Sequence, residues 1–178
     1  MPAKANALKI SRYFTESGKD PFDKLSWSKK DVEIRNFDGT VAFSMKDVTL
    51  PDNYSQVASN VLAQKYLRKA GIPKKLRKVK EKAVPTWLQK SVPDIKAMED
   101  LPESEKFGEE VDGKQTFRRL AGTWTYWGWK HGYFASEEDA KSYFDEMCFM
   151  LAFQMVSPNS PQWFNTGLNW AYGIEGPA

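Results

Sequence analysis

The stretch Ser157-Pro158-Asn159-Ser160-Pro161-Gln162-Trp163-Phe164-Asn165-Thr166-Gly167 gathers hydroxyls, carboxamides and exposed backbone around two prolines. A turn of this kind presents fixed hydrogen-bonding groups to a ligand, because little conformational freedom is left to lose on binding. Residue types alone leave a binding role and an ordinary structured loop evenly balanced. Two prolines so close together predict that no helix crosses the segment.

Other reactive side chains are sparse. Cys148 is the single cysteine and His131 the single histidine. One thiol makes no internal disulfide, and one Cys with one His cannot build a structural zinc site, so no metal is expected and a reducing, cytoplasmic compartment is. Cys148 lies among Met147, Phe149 and Met150, where apolar surroundings and the neighbouring Glu146 raise a thiol's pKa, so it is expected to be a small buried hydrophobe. His131 falls in the last turn of an expected helix, which accounts for it without catalysis.

From Lys65 to Lys82 nine residues are Lys or Arg against one acid, Glu81, which is the pattern of a phosphate or nucleic-acid contact. Base stacking needs aromatic rings, and Tyr66 alone is available there, so a solvated linker face is the better account. Acids dominate from Asp94 to Asp112, and the two blocks are of a kind to attract each other. The cluster Trp124-Thr125-Tyr126-Trp127-Gly128-Trp129 fits a helix buried between layers better than a ligand platform.

The elements that must position these residues follow from periodicity. Val32 and Ile34, then Val41, Phe43 and Met45, alternate about Asp38-Gly39 and predict a β-hairpin over Asp31 to Met45. A helix follows, with Val57, Val61, Leu62 and Tyr66 on one face, Asp52 or Asn53 as cap, and Gly71 and Pro73 as stop. Phe117, Leu120, Ala121, Trp124 and Trp127 mark a second helix ended by Gly132. Ser136 to Asp139 resembles a capping box before a third, with Ala140, Tyr143, Phe144, Met147 and Leu151 on its apolar face. These two should form a helical hairpin. The chain then divides into an irregular arm (1–30) pinned by Tyr13, Phe14, Phe22 and Trp27, a β-hairpin plus helix (31–71), a Pro-rich charged linker (72–113), the helical hairpin (114–156) and the turn segment (157–178). Pro73, Pro85, Pro93 and Pro102 are what break any helical period in the linker. Twenty-five aromatic residues among 178 argue against disorder, and no apolar run approaches the ~20 residues of a membrane span.

Met155 to Leu168 closely resembles the segment that begins the catalytic barrel in class II, adenosylcobalamin-dependent ribonucleotide reductases. Asn169 to Ile174, Ser11-Arg12-Tyr13-Phe14-Thr15, Asp20-Pro21-Phe22-Asp23 and Trp127 to Phe134 resemble that family in the same order. The resemblance implies an α+β fold, a mostly helical N-terminal domain with one β-hairpin that leads into the start of a ten-stranded α/β barrel. It implies a reaction in which adenosylcobalamin generates a thiyl radical that attacks the 3′ hydrogen of a ribonucleotide. A cysteine pair, reset by a thioredoxin-type reductant, then supplies electrons. It places Ser160 at the bound nucleotide, with Asn159 and Pro161 shaping the turn. The remainder of the reductase is the implied partner, a homodimer is left open, and no membrane is involved. No catalytic residue of the family maps onto this chain, because the family's redox and radical cysteines lie downstream of this segment. The chain, ending at Ala178, is therefore expected to be inactive alone. A stand-alone module binding nucleic acid or protein through 65–82 is the alternative.

Overall fold

The computed structural model describes residues 7–176, so residues 1–6 of the expected arm and 177–178 of the turn segment lie outside it. Strands β1 (Trp27–Arg35) and β2 (Val41–Pro51) pair antiparallel about a turn in which Gly39 takes φ +84°. The hairpin extends beyond the expected Asp31 to Met45. A β-bulge explains why. The register slips between Lys30 and Val32, where Asp47 adopts φ +53° and donates its N–H to Asp31 Oδ1 at 3.0 Å. One extra residue shifts the side-chain alternation by one, so Val32 and Met45 face the core before the bulge, and Val48 and Leu50 face it after. Read without the bulge, the alternation stops at Met45.

Helix α1 (Gln56–Val61) is capped by Ser55, whose Oγ accepts from the Ala58 N–H at 3.1 Å, rather than by Asp52 or Asn53. It runs into a single π turn over Leu62–Tyr66. Val57 is exposed, while Leu62 and Ala63 enter the core, so the apolar face is shorter than its spacing suggests.

The segment 72–113 differs most from expectation. Its prolines do exclude long helices, but it is not a free linker. β3 (Ile72–Pro73) pairs with β6 (Phe107–Gly108), and β4 (Leu76–Lys78) pairs with β5 (Ser91–Pro93), with the one-turn α2 (Glu103–Lys106) leading into β6. Val84, Leu88 and Met98 are buried. These pairings set the basic and acidic blocks side by side through backbone hydrogen bonds such as Lys74 N–H to Lys106 O at 2.9 Å.

Helices α3 (Gly113–Lys130) and α4 (Glu137–Ala152) form the expected helical hairpin. Asp112 and Gln115 make a reciprocal capping box at the start of α3. At α4, Ser136 Oγ accepts from Asp139 N–H and donates to Asp139 Oδ2 at 2.6 Å, while Asp139 Oδ1 reaches across to accept the Ile10 N–H at 2.7 Å. Phe22, Phe117, Leu120, Cys148 and Leu151 join the hairpin's inward residues in the main core. The arm closes over α4. Arg12 pairs with Asp145 at 2.6 Å, and Phe14 stacks on Phe149. Of the expected pins Tyr13 is exposed, while Phe22 is buried and Trp27 belongs to β1. Among the described residues no helix is long and apolar enough to cross a membrane.

Candidate functional site

Residues 157–172 fold into two short helices, α5 (Ser160–Asn165) and α6 (Leu168–Tyr172). The expectation that paired prolines exclude a helix is corrected here. Pro161 lies in the first turn of α5, where a missing N–H costs nothing and a fixed φ assists. Asn159 stands at the N-cap position but makes no side-chain cap. No strand occurs in 157–176.

One end of this segment is held from within. Trp163 is buried, donates its indole N–H to Pro158 O at 3.0 Å and stacks on Tyr66 at 5.0 Å between centroids. Gly167, at φ +89°, lies so close to α3 that a Cβ there would fall 2.2 Å from Arg119 O. Trp170 donates its indole N–H to Leu88 O at 2.9 Å, so the supposed linker supports the turn.

The anchor is a fully buried ion pair. Arg119 Nε lies 2.9 Å from Glu110 Oε1, both side chains at 0% exposure. The guanidinium also donates to the carbonyls of Tyr66, Trp163 and Thr166 at 2.9, 2.9 and 2.7 Å. Glu110 in turn accepts from the Arg68 N–H, Thr116 Oγ1 and the Tyr172 hydroxyl at 2.8, 2.9 and 2.8 Å. Burial beside Glu110 pushes the Tyr172 phenol far up, so it stays a donor. Every polar atom of a buried pair needs such partners, or desolvation outweighs attraction. The sequence offers one signal for this hub, the pair Arg118-Arg119 set between the apolar residues Phe117 and Leu120. Nothing in the sequence points to Glu110 as its partner.

The other end is open. Ser160, Asn159, Pro161 and Gln162 are all exposed. Ser160 Oγ lies 3.4 Å from the Tyr66 hydroxyl, which sequence spacing did not associate with it. Beside the turn, Phe164, Asn165, Leu168, Asn169 and Ile174 border a hollow of about 820 Å³. The arrangement offers a ligand one hydroxyl, carboxamides and an aromatic edge. Among the described residues no group of three His, Cys, Asp or Glu side chains could hold a metal ion.

The remaining candidates lie elsewhere. Cys148 is at 0% exposure, and burial pushes its thiol well up, as its neighbours predict. His131 caps α3 and borders a separate hollow of about 910 Å³ with Trp124, Trp127, Tyr133, Phe134 and Tyr143. Trp127 is exposed there, although Thr123, Thr125, Tyr126 and Gly128 around it on α3 are buried as a helix between layers requires. The basic run does not form one continuous face. Lys69 lies over Phe43 and Lys78 over Trp170, while Lys78 donates to Gln89 O at 2.8 Å. Glu146, which the sequence marked only as a neighbour of Cys148, accepts the N–H groups of Tyr13, Phe14 and Thr15 and the Thr15 hydroxyl at 2.6 to 3.1 Å. Burial alone would raise its carboxyl, but these hydrogen bonds outweigh it and the pKa is lowered.

Residues 28–154 match the family model described as class II vitamin B12-dependent ribonucleotide reductase. The vitamin B12-dependent ribonucleotide reductases of Agrobacterium fabrum and Bradyrhizobium diazoefficiens are each 55% identical to the chain over 170 residues. That alignment covers 96% of this chain and 13% and 14% of theirs. The protein of the same name from Streptomyces avermitilis is 31% identical over 166 residues, covering 92% of this chain and 14% of its own length. The chain therefore spans only a small part of the curated relatives it matches.

Proposed function

The chain belongs to the class II vitamin B12-dependent ribonucleotide reductase family, and from that membership we propose that it is the N-terminal segment of an enzyme converting ribonucleotides to deoxyribonucleotides. In this reading the Ser160 hydroxyl meets the bound ribonucleotide, and Asn159 and Pro161 hold the turn that presents it. The observation that carries the reading is the contrast within one motif. Arg119, Glu110 and Gly167 fix its far end in the core, while Ser160 remains exposed on a preorganised turn.

Adenosylcobalamin is the cofactor of the proposed parent enzyme, and when bound it supplies the radical-generating step. This chain alone does not fit it. A corrin ring rimmed by amides needs a broad bed with many hydrogen-bonding groups, and the large hollow at Trp127 is lined mostly by apolar and aromatic side chains. The remaining length of the enzyme is proposed to hold it, as part of a ten-stranded barrel that the turn segment enters. A thioredoxin-type reductant and a cytoplasmic setting complete the proposal, and a homodimer stays compatible with it. The segment by itself is proposed to be inactive, a reading supported by the burial of its single cysteine in the core.

The test is Ser160→Ala in the full-length reductase. A hydrogen bond to a charged group is worth ~1.5–3 kcal/mol, so KM for the ribonucleotide should rise roughly tenfold or more, with the protein's stability unchanged. An unaltered KM would remove Ser160 from the substrate site. Deoxyribonucleotide formation by the purified 178-residue chain would refute its inactivity alone.

A further inference from the structure

The chain from Lys65 to Ala70 and the ring of Phe164 wall a groove of about 360 Å³. Two of its cations are uncommitted. Lys65 has no ion-pair partner among the described residues. Arg68 gives its Nε to Ala70 O at 3.0 Å, and its terminal nitrogens have no partner among the described residues. The third, Lys69, is turned to the Ala63 carbonyl and the Phe43 ring, with Glu109 nearby. Glu110, the acid beneath, accepts the Arg68 backbone N–H, and its charge is answered by Arg119.

The groove is joined to the Ser160 turn by Tyr66. Its ring stacks on Trp163, lies 5.9 Å from Phe164 and brings its hydroxyl to Ser160 Oγ. Tyr66 reaches this place because it closes the π turn over Leu62–Tyr66, whose carbonyl Arg119 holds at 2.9 Å. Single π turns within helices are uncommon and recur where a side chain must be re-aimed for function. Here the turn sets a guanidinium fork, an ammonium and two rings around one open volume, with the Ser160 hydroxyl beside it at Tyr66. A fork and a point charge together are what phosphate oxygens bind.

We propose that this groove is an oxyanion subsite, in which Lys65 and Arg68 take the phosphate groups of the ribonucleotide that meets Ser160. The proposal rests on the reading of Ser160 as a substrate contact. Inorganic pyrophosphate titrated into the 178-residue chain at low salt, followed by amide NMR shifts, tests it. Saturable shifts should group at residues 65–70 and 160–164 and should weaken as salt is added. The doubly neutralised variant Lys65→Gln/Arg68→Gln changes only groove-lining side chains, so it should keep the rest of its spectrum while affinity falls roughly tenfold or more. No saturable shifts in the unaltered chain, or equal affinity in the variant, overturns the subsite. A short oligothymidylate binding far more tightly than pyrophosphate, with shifts spread across 65–82, would assign the cations to a nucleic-acid backbone and overturn it equally. The two readings fail separately. Lost pyrophosphate binding with a raised KM for Ser160→Ala in the full reductase removes the subsite alone. Retained binding with an unchanged KM removes the Ser160 contact and leaves an anion site without its assigned ligand.

Discussion

Within sixteen residues the segment from Ser157 to Tyr172 passes from open surface to sealed core, and its two ends are held by different means. Around Ser160 the backbone is shaped locally, by Pro161 in the first turn of α5. Around Gly167 it is shaped from outside, by Arg119 bonded to the carbonyls of Trp163 and Thr166 and by a contact that admits no Cβ. The difference shows where stiffness comes from. An exposed hydroxyl with one long contact, to Tyr66, can be held in place if the next turn is immobilised in the core.

The sharpest way to break this arrangement is Arg119→Leu. It leaves Glu110 charged, buried and unpaired, and should cost ~3–5 kcal/mol, a large part of a domain's whole stability, in urea unfolding. Gly167→Ala comes next. A left-handed backbone conformation alone is worth ~1–3 kcal/mol against alanine, and the contact with Arg119 O adds to it. The change should also broaden or shift the Ser160 amide signal, because the two ends are coupled. A smaller effect is expected at Glu146, where the pKa is lowered on folding. Its contribution is present above the ordinary glutamate pKa of about 4.3 and is lost as pH falls through the folded value. Urea midpoints of Glu146→Gln should therefore fall less between pH 6 and pH 3 (roughly the span of carboxylate titration) than those of the unaltered chain. Ser160→Ala should change stability by no more than about 0.5 kcal/mol, the range of surface positions, since its one contact, the Tyr66 hydroxyl at 3.4 Å, is long and exposed. A large loss there would show that the open end is load-sharing after all.

The sequence made some of this legible, and the reasons are local. Asp38-Gly39, Gly132 and Ser136 act on their neighbours, so hairpin, helix stop and helix start were readable in place. Cys148 was readable because its surroundings are its own helix. The bulge at Asp31 hid the second half of the hairpin by shifting a period that simple alternation assumes fixed. Residues 72–113 read as a linker because strands of two or three residues have no period to detect. The Ser160 turn was found by its composition. Its support was not, since Glu110, Arg119 and Tyr172 meet only after the chain has folded back on itself.

The arm has a consequence in time. Thr15 finds its acceptor, Glu146, 131 residues further along the chain. At ~5–20 residues per second of synthesis, the arm therefore waits on the order of ten seconds for α4 to be made. During that interval its backbone donors have only water, and Phe14 has no Phe149 to stack on. The arm is thus made well before the helical hairpin it closes over, and that hairpin must already exist to receive it.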